Sequence, residues 1–452
     1  MRIGNLRGGW ITLAAVAGVT LALAGVSGCG PDSGGGKTPP PPPPPPSNAC
    51  SGQGLIAIDP VANVGYAPIY TLDASGNAQL TIVDLTVGAA NPVMGEVSLP
   101  GSDQPMATTY DSINRSVLAL GLDTTNSNLT VYDISTKNHT VTSTIPITGI
   151  TGYTNFGGIV MDSRKKRAFV AGDDQVGILN AGVNPPKWDA TSVVDVSKAG
   201  SFFDSFSVNI ATGIMFISGD GRNAIIDTTK TPLAPQSFES SFGTTDGTAF
   251  DPATNMMLLS NEVSADRSWA FNFATLQTAT SPASADNVAV PGLGELAPLG
   301  EGPGGMTVIN CTTHQGAIAD EFGQNFKLIH LPTAPISGAP DNNGQPGSGT
   351  TADANSAYTI AAALIPKGTV DKTATQLGMV GDPNSLSIDP KHNLMYALAD
   401  TEPFFHSWDP GSTTPLFLIQ VDLSSPVLGA SPTGGVDGKT FWTPTATAIP
   451  LP

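Results

Sequence analysis

The chain has few charged residues, few bases among them and few cysteines, and each shortage excludes a class of protein. Charged residues make up 12% of the chain, and 19 Lys and Arg against 37 Asp and Glu give a net charge of −18. This balance predicts no basic face for nucleic acid, whose partners cluster Lys and Arg against phosphates. Three cysteines are too few for a disulfide-rich scaffold, and the Cys-x-x-Cys-His motif of covalent haem is absent.

Helical periodicity is also lacking, while turn-forming residues are plentiful. No stretch repeats its apolar residues at the 3.6-residue period of an amphipathic helix, whereas the chain holds 51 Gly and 39 Pro. Gly and Pro in this number, between regular hydrophobic stretches, are typical of a turn-rich β fold and not of a disordered chain. The expected fold class is therefore all-β.

A short phrase returns seven times: a hydrophobic stretch that ends in Asp or Asn, a turn, and a second hydrophobic stretch. We call its Asp or Asn the anchor residue, and the seven anchors are Asp59, Asp111, Asp162, Asn209, Asp251, Asn310 and Asp389. Their spacings of 52, 51, 47, 42, 59 and 79 residues lie near the roughly 40–50 residues of a four-stranded propeller blade. The repeat predicts a β-propeller.

Each copy continues with further strands. In the second copy these are Ser116–Leu120, Leu129–Asp133 and Thr144–Pro146, which together with the first strand make four. The sequence thus predicts an all-β, seven-bladed β-propeller with four-stranded antiparallel blades, the last blade ending near Ile449. The long final spacing is explained as an insertion plus the fourth strand of blade six, because Tyr358–Ile365 is its one clear strand.

The repeats resemble the YVTN family of β-propellers. The closest stretch runs from Leu129–Thr136 through Val141–Ile147 to Gly158–Asp162 and Ala168–Ala171, and it follows that family's order of phrases. The pattern covers roughly residues 51–452 and departs from the family most at Asn310-Cys311, which replaces the Asp-Pro or Asp-Gly phrase. The resemblance implies a fold and carries no catalytic residue across.

The N-terminus has the pattern of a bacterial lipoprotein signal. Two Arg precede an apolar run, Trp10–Val26, which closes on Val26-Ser27-Gly28-Cys29. The alternative is a membrane-spanning anchor, but the run is short and interrupted by Gly and Thr. We expect a signal peptide over residues 1–28, a lipidated Cys29 heading a Gly- and Pro-rich disordered tether over 29–49, and the propeller over 50–452. Gly30 after the Cys favours delivery to the outer membrane, on its periplasmic side or at the cell surface.

Two cysteines remain, Cys50 and Cys311, and an oxidising compartment permits them to pair. Cys50 precedes the first strand of blade one, whereas Cys311 lies in the turn after the first strand of blade six, at the opposite end of the sheet. This geometry argues against a disulfide. The pairing stays open at this point.

One acidic pattern repeats between the second and third strands. The carboxylates are Asp73, Asp123, Asp173, Asp220, Glu262, Asp320 and Asp400. In a propeller those loops share one face, so the residues are candidate ligands of Ca²⁺ or attractants of a cationic partner. The alternative is that each Asp caps its own turn. His314 and His392 fall in equivalent turns of adjacent blades, and solvated turn histidines are the ordinary alternative to a metal pair there.

Two functions of different class follow. The first is a lipid-anchored cell-envelope propeller that acts as a binding or scaffold module for a protein, polymer or cation, with the membrane as partner and no nucleic acid. The second is a lactonase-like or other metal-assisted propeller hydrolase. It requires acidic, His and Asn groups that converge at one channel mouth, and of the histidines only His406 lies in those loops. The sequence favours binding over catalysis.

Overall fold

A computed structural model describes most of the strands of this chain. The described residues are 56–69, 71–86, 88–152, 157–197, 203–219, 222–239, 247–253, 256–260, 268–272, 307–320, 325–330, 359–363, 378–379, 386–400, 416–428 and 442–450. The chain divides into two compact units, Met1–Pro45 and Pro46–Pro452. The signal peptide, Cys29 and the tether lie outside the described residues, as does Cys50, so every described residue belongs to the second unit.

Four sheets have the size predicted for a blade, and each is a four-stranded antiparallel meander of consecutive strands. Blade one holds β1 (Ala57–Asp59), β2 (Val64–Ala67), β3 (Ala78–Asp84) and β4 (Val93–Leu99). Blade two holds β5 (Gln104–Asp111), β6 (Ser116–Asp123), β7 (Asn128–Ser135) and β8 (Thr140–Thr151). Blade three holds β9 (Gly157–Asp162), β10 (Arg167–Gly172), β11 (Gln175–Asn180) and β12 (Lys187–Asp195). Blade four holds β13 (Phe203–Asn209), β14 (Ile214–Gly219), β15 (Arg222–Asp227) and β16 (Pro235–Glu239).

The remaining described strands form a three-stranded and a nine-stranded sheet. Blade five holds β17 (Gly247–Asp251), β18 (Met256–Ser260) and β19 (Ser268–Asn272). The first half of the large sheet holds β20 (Thr307–Asn310), β21 (Gln315–Asp320), β22 (Asn325–His330) and β23 (Thr359–Ala363). Its second half holds β24 (Gly378–Met379), β25 (Leu386–Asp389), β26 (Leu394–Asp400), β27 (Leu416–Leu428) and β28 (Trp442–Pro450).

The all-β class and the antiparallel propeller arrangement are confirmed, but the count of seven separate blades is wrong. The described strands form five separate blades, four of them four-stranded and one with three described strands, and one nine-stranded sheet. The cause is one short parallel pairing, Ala363 with Trp442, which joins β23 to β28 and merges two sets of strands into a single sheet. The placement of a fourth strand at Tyr358–Ile365 is confirmed, because β23 pairs with β22.

First strands pack around a common centre. Among the described strands β1 contacts β5, and the contacts continue through β9, β13, β17, β20 and β25 back to β1. The apolar core accordingly lies in layers between adjacent sheets. One layer joins Tyr66 and Leu80 of blade one to Val117 and Tyr132 of blade two, and another joins Ile56 and Ile58 of blade one to Tyr396 and Leu418 of β26 and β27. This is how antiparallel sheets too small to bury both faces alone become stable.

The last set of strands is built from contiguous chain. β28 pairs with β27 from Phe417↔Pro450 to Leu428↔Trp442, so the strand at the C-terminal end follows β27 as the fourth strand of this set, as the sequence predicts. Among the described residues a side chain joins this end to blade one, because Ser387 Oγ accepts the Ile56 N–H at 3.0 Å. In the part of the chain that the structure describes, no helix is long and apolar enough to cross a membrane.

Candidate functional site

The meander places every anchor turn on one face of the ring. Because strands alternate in direction, the turn between the first and second strands and the loop between the third and fourth share one side, which we call the anchor face. Turns between the second and third strands lie on the other side, which we call the acidic face. Contacts between neighbouring turns agree with this: Asn114 Nδ2 of the blade-two anchor turn donates to the Ala181 carbonyl of a blade-three loop at 2.8 Å.

All seven anchor residues are fully buried, at 0% exposure. In six of them a side-chain oxygen accepts the N–H of the residue two positions on, as from Val61 to Asp59 at 2.9 Å and from Ala211 to Asn209 at 3.0 Å. In the seventh, Asp162 accepts the Lys165 N–H at 3.3 Å. An Asx turn needs only one side-chain oxygen, which is why Asp and Asn both occur at anchors. The repeated phrase is therefore a folding signal.

The second oxygen of two anchors holds a histidine. His314 Nδ1 lies 2.6 Å from Asp251 Oδ2, across the boundary between blade five and the large sheet. His392 Nδ1 lies 2.5 Å from Asp389 Oδ2 within one turn. The two turns touch, because Asn310 Nδ2 donates to Asn393 Oδ1 at 2.7 Å. The structure thus brings together the turns of the two histidines that the sequence singled out.

These pairs have the form of structural ties. Each Nδ1 is held by an anchor carboxylate, and the His139 ring likewise shares a hydrogen bond of 2.8 Å with the Tyr66 hydroxyl. Burial, followed by the charges of Asp59 and Tyr110, raises the pKa of Tyr66 well above its usual range. Within the described ranges no group of three His, Cys, Asp or Glu side chains is placed to hold a metal.

The predicted acidic ring is described in part. Asp73 and Asp123 lie in the turns after the second strands of blades one and two, and Asp173 lies in the corresponding turn of blade three. Asp320 ends β21 and Asp400 ends β26, the second strands of their sets, and the contacts of their side chains are outside the description. Asp220 and Glu262 lie outside the described residues.

Two described members of the ring cap their own turns. Asp73 accepts N–H groups from Ser75 at 2.7 Å and Asn77 at 2.9 Å, and the Asn77 amide donates to its other oxygen at 2.9 Å. These bonds, with the Asn77 side chain first, lower the pKa of Asp73 to about 2. Asp123 is held alike by Asn126, which lowers its pKa. Turn capping explains both residues, and a calcium ring stays a prediction.

Asp174 of blade three differs from these turn-capping carboxylates in the direction of its pKa shift. Burial, followed by the charges of Asp173 and Asp195, raises the pKa of Asp174. Asp103 of blade two also lies on this face, where its two oxygens accept the N–H and the hydroxyl of Thr124 at 2.8 and 2.6 Å. Sequence reasoning missed Asp103 because it precedes a first strand and so falls outside the repeat position used for the ring.

Bases are segregated onto the anchor face. Every Lys and Arg whose side chain the structure describes lies there: Arg115, Lys137, Arg164, Lys165, Lys166, Arg167, Lys187, Lys230 and Lys391. Eight of the nine belong to blades two to four, where the described acids of the same face are Asp111, Asp133, Asp162, Asp189 and Asp227. The net charge of −18 gave no indication of this basic face. The sequence nevertheless contained a sign of it, because Lys and Arg cluster in the turns between first and second strands. The prediction that nucleic acid is not a partner remains untested.

Comparison with known proteins identifies no relative. No family model matches the chain, and no curated protein matches it. The structure is similar to a protein from Lactobacillus plantarum (15% identity, TM-score 0.46, covering 64% of this chain and 84% of that one). It is also similar to a putative 6-phosphogluconolactonase from Bacteroides uniformis, at 12% identity and a TM-score of 0.43, covering 61% of this chain and 80% of that one. A chain of the mitotic checkpoint complex is similar at 8% identity and a TM-score of 0.44, covering 80% of this chain and 93% of that one. Similarities at this level assign neither a family nor a function to this chain.

Proposed function

We propose that the protein is a lipid-anchored β-propeller of the bacterial cell envelope, delivered to the outer membrane, that serves as a binding or scaffold module for a protein, polymer or cation. The proposal joins the Val26-Ser27-Gly28-Cys29 signal to a ring of antiparallel sheets whose first strands pack around a common centre. The YVTN resemblance of the repeats is part of the same proposal.

The binding role is supported by the observation that the buried polar side chains stabilise the fold, which leaves the exposed charges available to meet a partner. Anchor carboxylates are buried in turn caps, and the histidines His139, His314 and His392 each hold a structural partner. The charged side chains that remain exposed are spread over the two faces, with opposite signs on blades two and three. Surfaces of this kind attract partners and steer their approach.

The hydrolase alternative has less support. It requires histidine and acidic groups around one channel mouth, yet the predicted acidic ring belongs to the acidic face. His139, His314 and His392 lie in turns of the anchor face, and His330 ends a third strand that runs to that face. Among the described residues the histidines and the acidic ring are thus on opposite sides, and His406 lies outside the described residues.

We also propose that the nine-stranded sheet works as two blades. The support is the ring of first strands, in which β20 and β25 hold separate places between β17 and β1. A single residue pair, Ala363 with Trp442, links the two halves. Seven units around the centre would then share the ring.

Fatty-acid labelling in a Gram-negative host tests the lipid anchor. The natural chain should incorporate a clickable fatty acid and sediment with the outer membrane in a density gradient. Cys29→Ser should lose the label, because no thiol remains to be acylated, while the matched control Ser27→Ala keeps a small residue in the signal and should retain it. An unlabelled natural chain, or a label that persists in Cys29→Ser, would overturn the proposal.

A further inference from the structure

The anchor face of blades two and three carries a compact basic patch. Its exposed members are Arg115, Lys137, Arg164, Lys165, Lys166 and Lys187. The described acids of this face in these blades are three buried residues, Asp111, Asp133 and Asp162, and the exposed Asp189. On the opposite side the same two blades present Asp103, Asp123, Asp173, Asp174 and Asp195 with no described base. The charge is therefore polarised from face to face.

Exposed apolar side chains stand among these bases. Ile113 is 38% exposed in the blade-two anchor turn and Val183 is 44% exposed in a blade-three loop, while Val61 of blade one is 66% exposed. Blades two and three are tied together at this point, because the Asn114 side-chain N–H of blade two donates to the Ala181 carbonyl of blade three at 2.8 Å. Within blade three the Ala181 N–H donates to the Lys166 carbonyl at 3.0 Å, which places the basic turn beside this contact. Ile113, Val183 and the patch thus share one continuous part of the anchor face.

A disulfide-bonded cysteine, Cys311, lies on the same face. Cys311 is disulfide-bonded, contrary to the expectation from strand geometry, and it immediately follows the anchor residue Asn310. The chain has three cysteines, so its partner is Cys29 or Cys50, both of which precede β1.

We propose that the anchor face of blades two and three docks on an anionic phospholipid surface. Lys and Arg there would meet lipid phosphates, and Ile113 and Val183 would enter the headgroup region. Bases interspersed with protruding apolar residues suit a membrane interface, whereas a soluble polyanion requires the bases alone. The inference rests on the proposed lipid anchor, which would hold the propeller close to a lipid surface.

Vesicle flotation tests the docking surface without the lipid. The compact unit Pro46–Pro452, which contains every described strand and core layer, is produced in an oxidising compartment and mixed with phosphatidylcholine vesicles with or without phosphatidylglycerol. We expect binding only to the phosphatidylglycerol vesicles, and loss of binding at high salt. Arg164→Gln with Lys165→Gln should weaken partitioning roughly 30-fold, at about tenfold per 1.4 kcal/mol and about 1 kcal/mol per base.

The matched control changes net charge equally on the other face. Ala74→Glu with Thr125→Glu also lowers the charge by two, at exposed turn positions of the acidic face, and should bind as the parent does. Ile113→Ser with Val183→Ser should weaken vesicle binding but leave binding to immobilised heparin unchanged. Equal losses in the two charge variants would show an effect of net charge alone and overturn the proposal.

Two further outcomes also decide the question. Binding to heparin without binding to phosphatidylglycerol vesicles would assign the face to a polyanion and refute the lipid surface. Failure of this experiment leaves fatty-acid labelling of Cys29 unaffected, and failure of the labelling leaves the vesicle result standing, so the two proposals can be told apart.

Discussion

Gln420 is predicted to hold the ring closed. Its side chain is 3% exposed on β27, and Nε2 donates to the Leu85 carbonyl of blade one at 2.9 Å and to the Tyr396 hydroxyl at 3.1 Å. The contact joins the two ends of the ring, where no chain connection runs from the last sheet to the first. Gln420→Met keeps the length of the side chain and removes the donor, which leaves a buried carbonyl without its partner.

The cost follows from these contacts. Losing a buried hydrogen bond and stranding its acceptor costs about 2–4 kcal/mol. Unfolding a unit of the size of Pro46–Pro452 changes the entropy by about 0.85 kcal/mol/K. The melting temperature should therefore fall by about 2–5 °C, measured by calorimetry against the natural chain.

Gln315 offers a matched control for this prediction. Its Nε2 makes the same kind of buried bond, to the Leu423 carbonyl at 3.1 Å, but between the halves of the large sheet, which the chain connects. Gln315→Met should lower the melting temperature comparably, whereas only Gln420→Met should speed hydrogen exchange in β1 by opening the seam. An unchanged melt for Gln420→Met, or equal acceleration of β1 in both variants, would refute the reasoning.

Three further predictions concern other parts of the molecule. If Cys50 is the partner of Cys311, peptide mapping without reductant should recover the two linked, and Cys50→Ser should free one thiol for labelling; a linked pair that includes Cys29 would contradict this. Burial raises the pKa of Asp111, so its favourable contribution is complete below its unfolded pKa and is lost as pH rises through the folded value; urea unfolding should show Asp111→Asn gaining stability relative to the natural chain as the pH rises above about 4, the ordinary pKa of Asp, and a constant difference would count against it. Asp123→Asn should lower the melting temperature slightly in calcium-free buffer, because the Asn126 amide would then face a donor; a rise, with loss of a stabilising effect of millimolar Ca²⁺, would instead favour the calcium ring.

Local patterns in the sequence were enough for most of the strands. The anchor phrase predicts its turn because an Asp or Asn side chain caps the backbone within three residues, and period-2 alternation marks strands such as Leu129–Asp133. Both are short-range effects. The capping interpretation of Asp73 and Asp123 was open to sequence reasoning for the same reason, since their partners lie within four residues.

Tertiary structure decided what depends on distant chain. The merging of two strand sets rests on Ala363 meeting Trp442, and the role of His314 rests on a carboxylate 63 residues away, Asp251. The bond at Cys311 overrides a geometric argument that considered strand ends alone. Composition sums charge over the whole chain, whereas alternating strand direction sends Arg164 and Asp173 to opposite faces. The sequence by itself therefore determined the class of fold and its repeating unit, and only the folded ring decided which side chains share a surface.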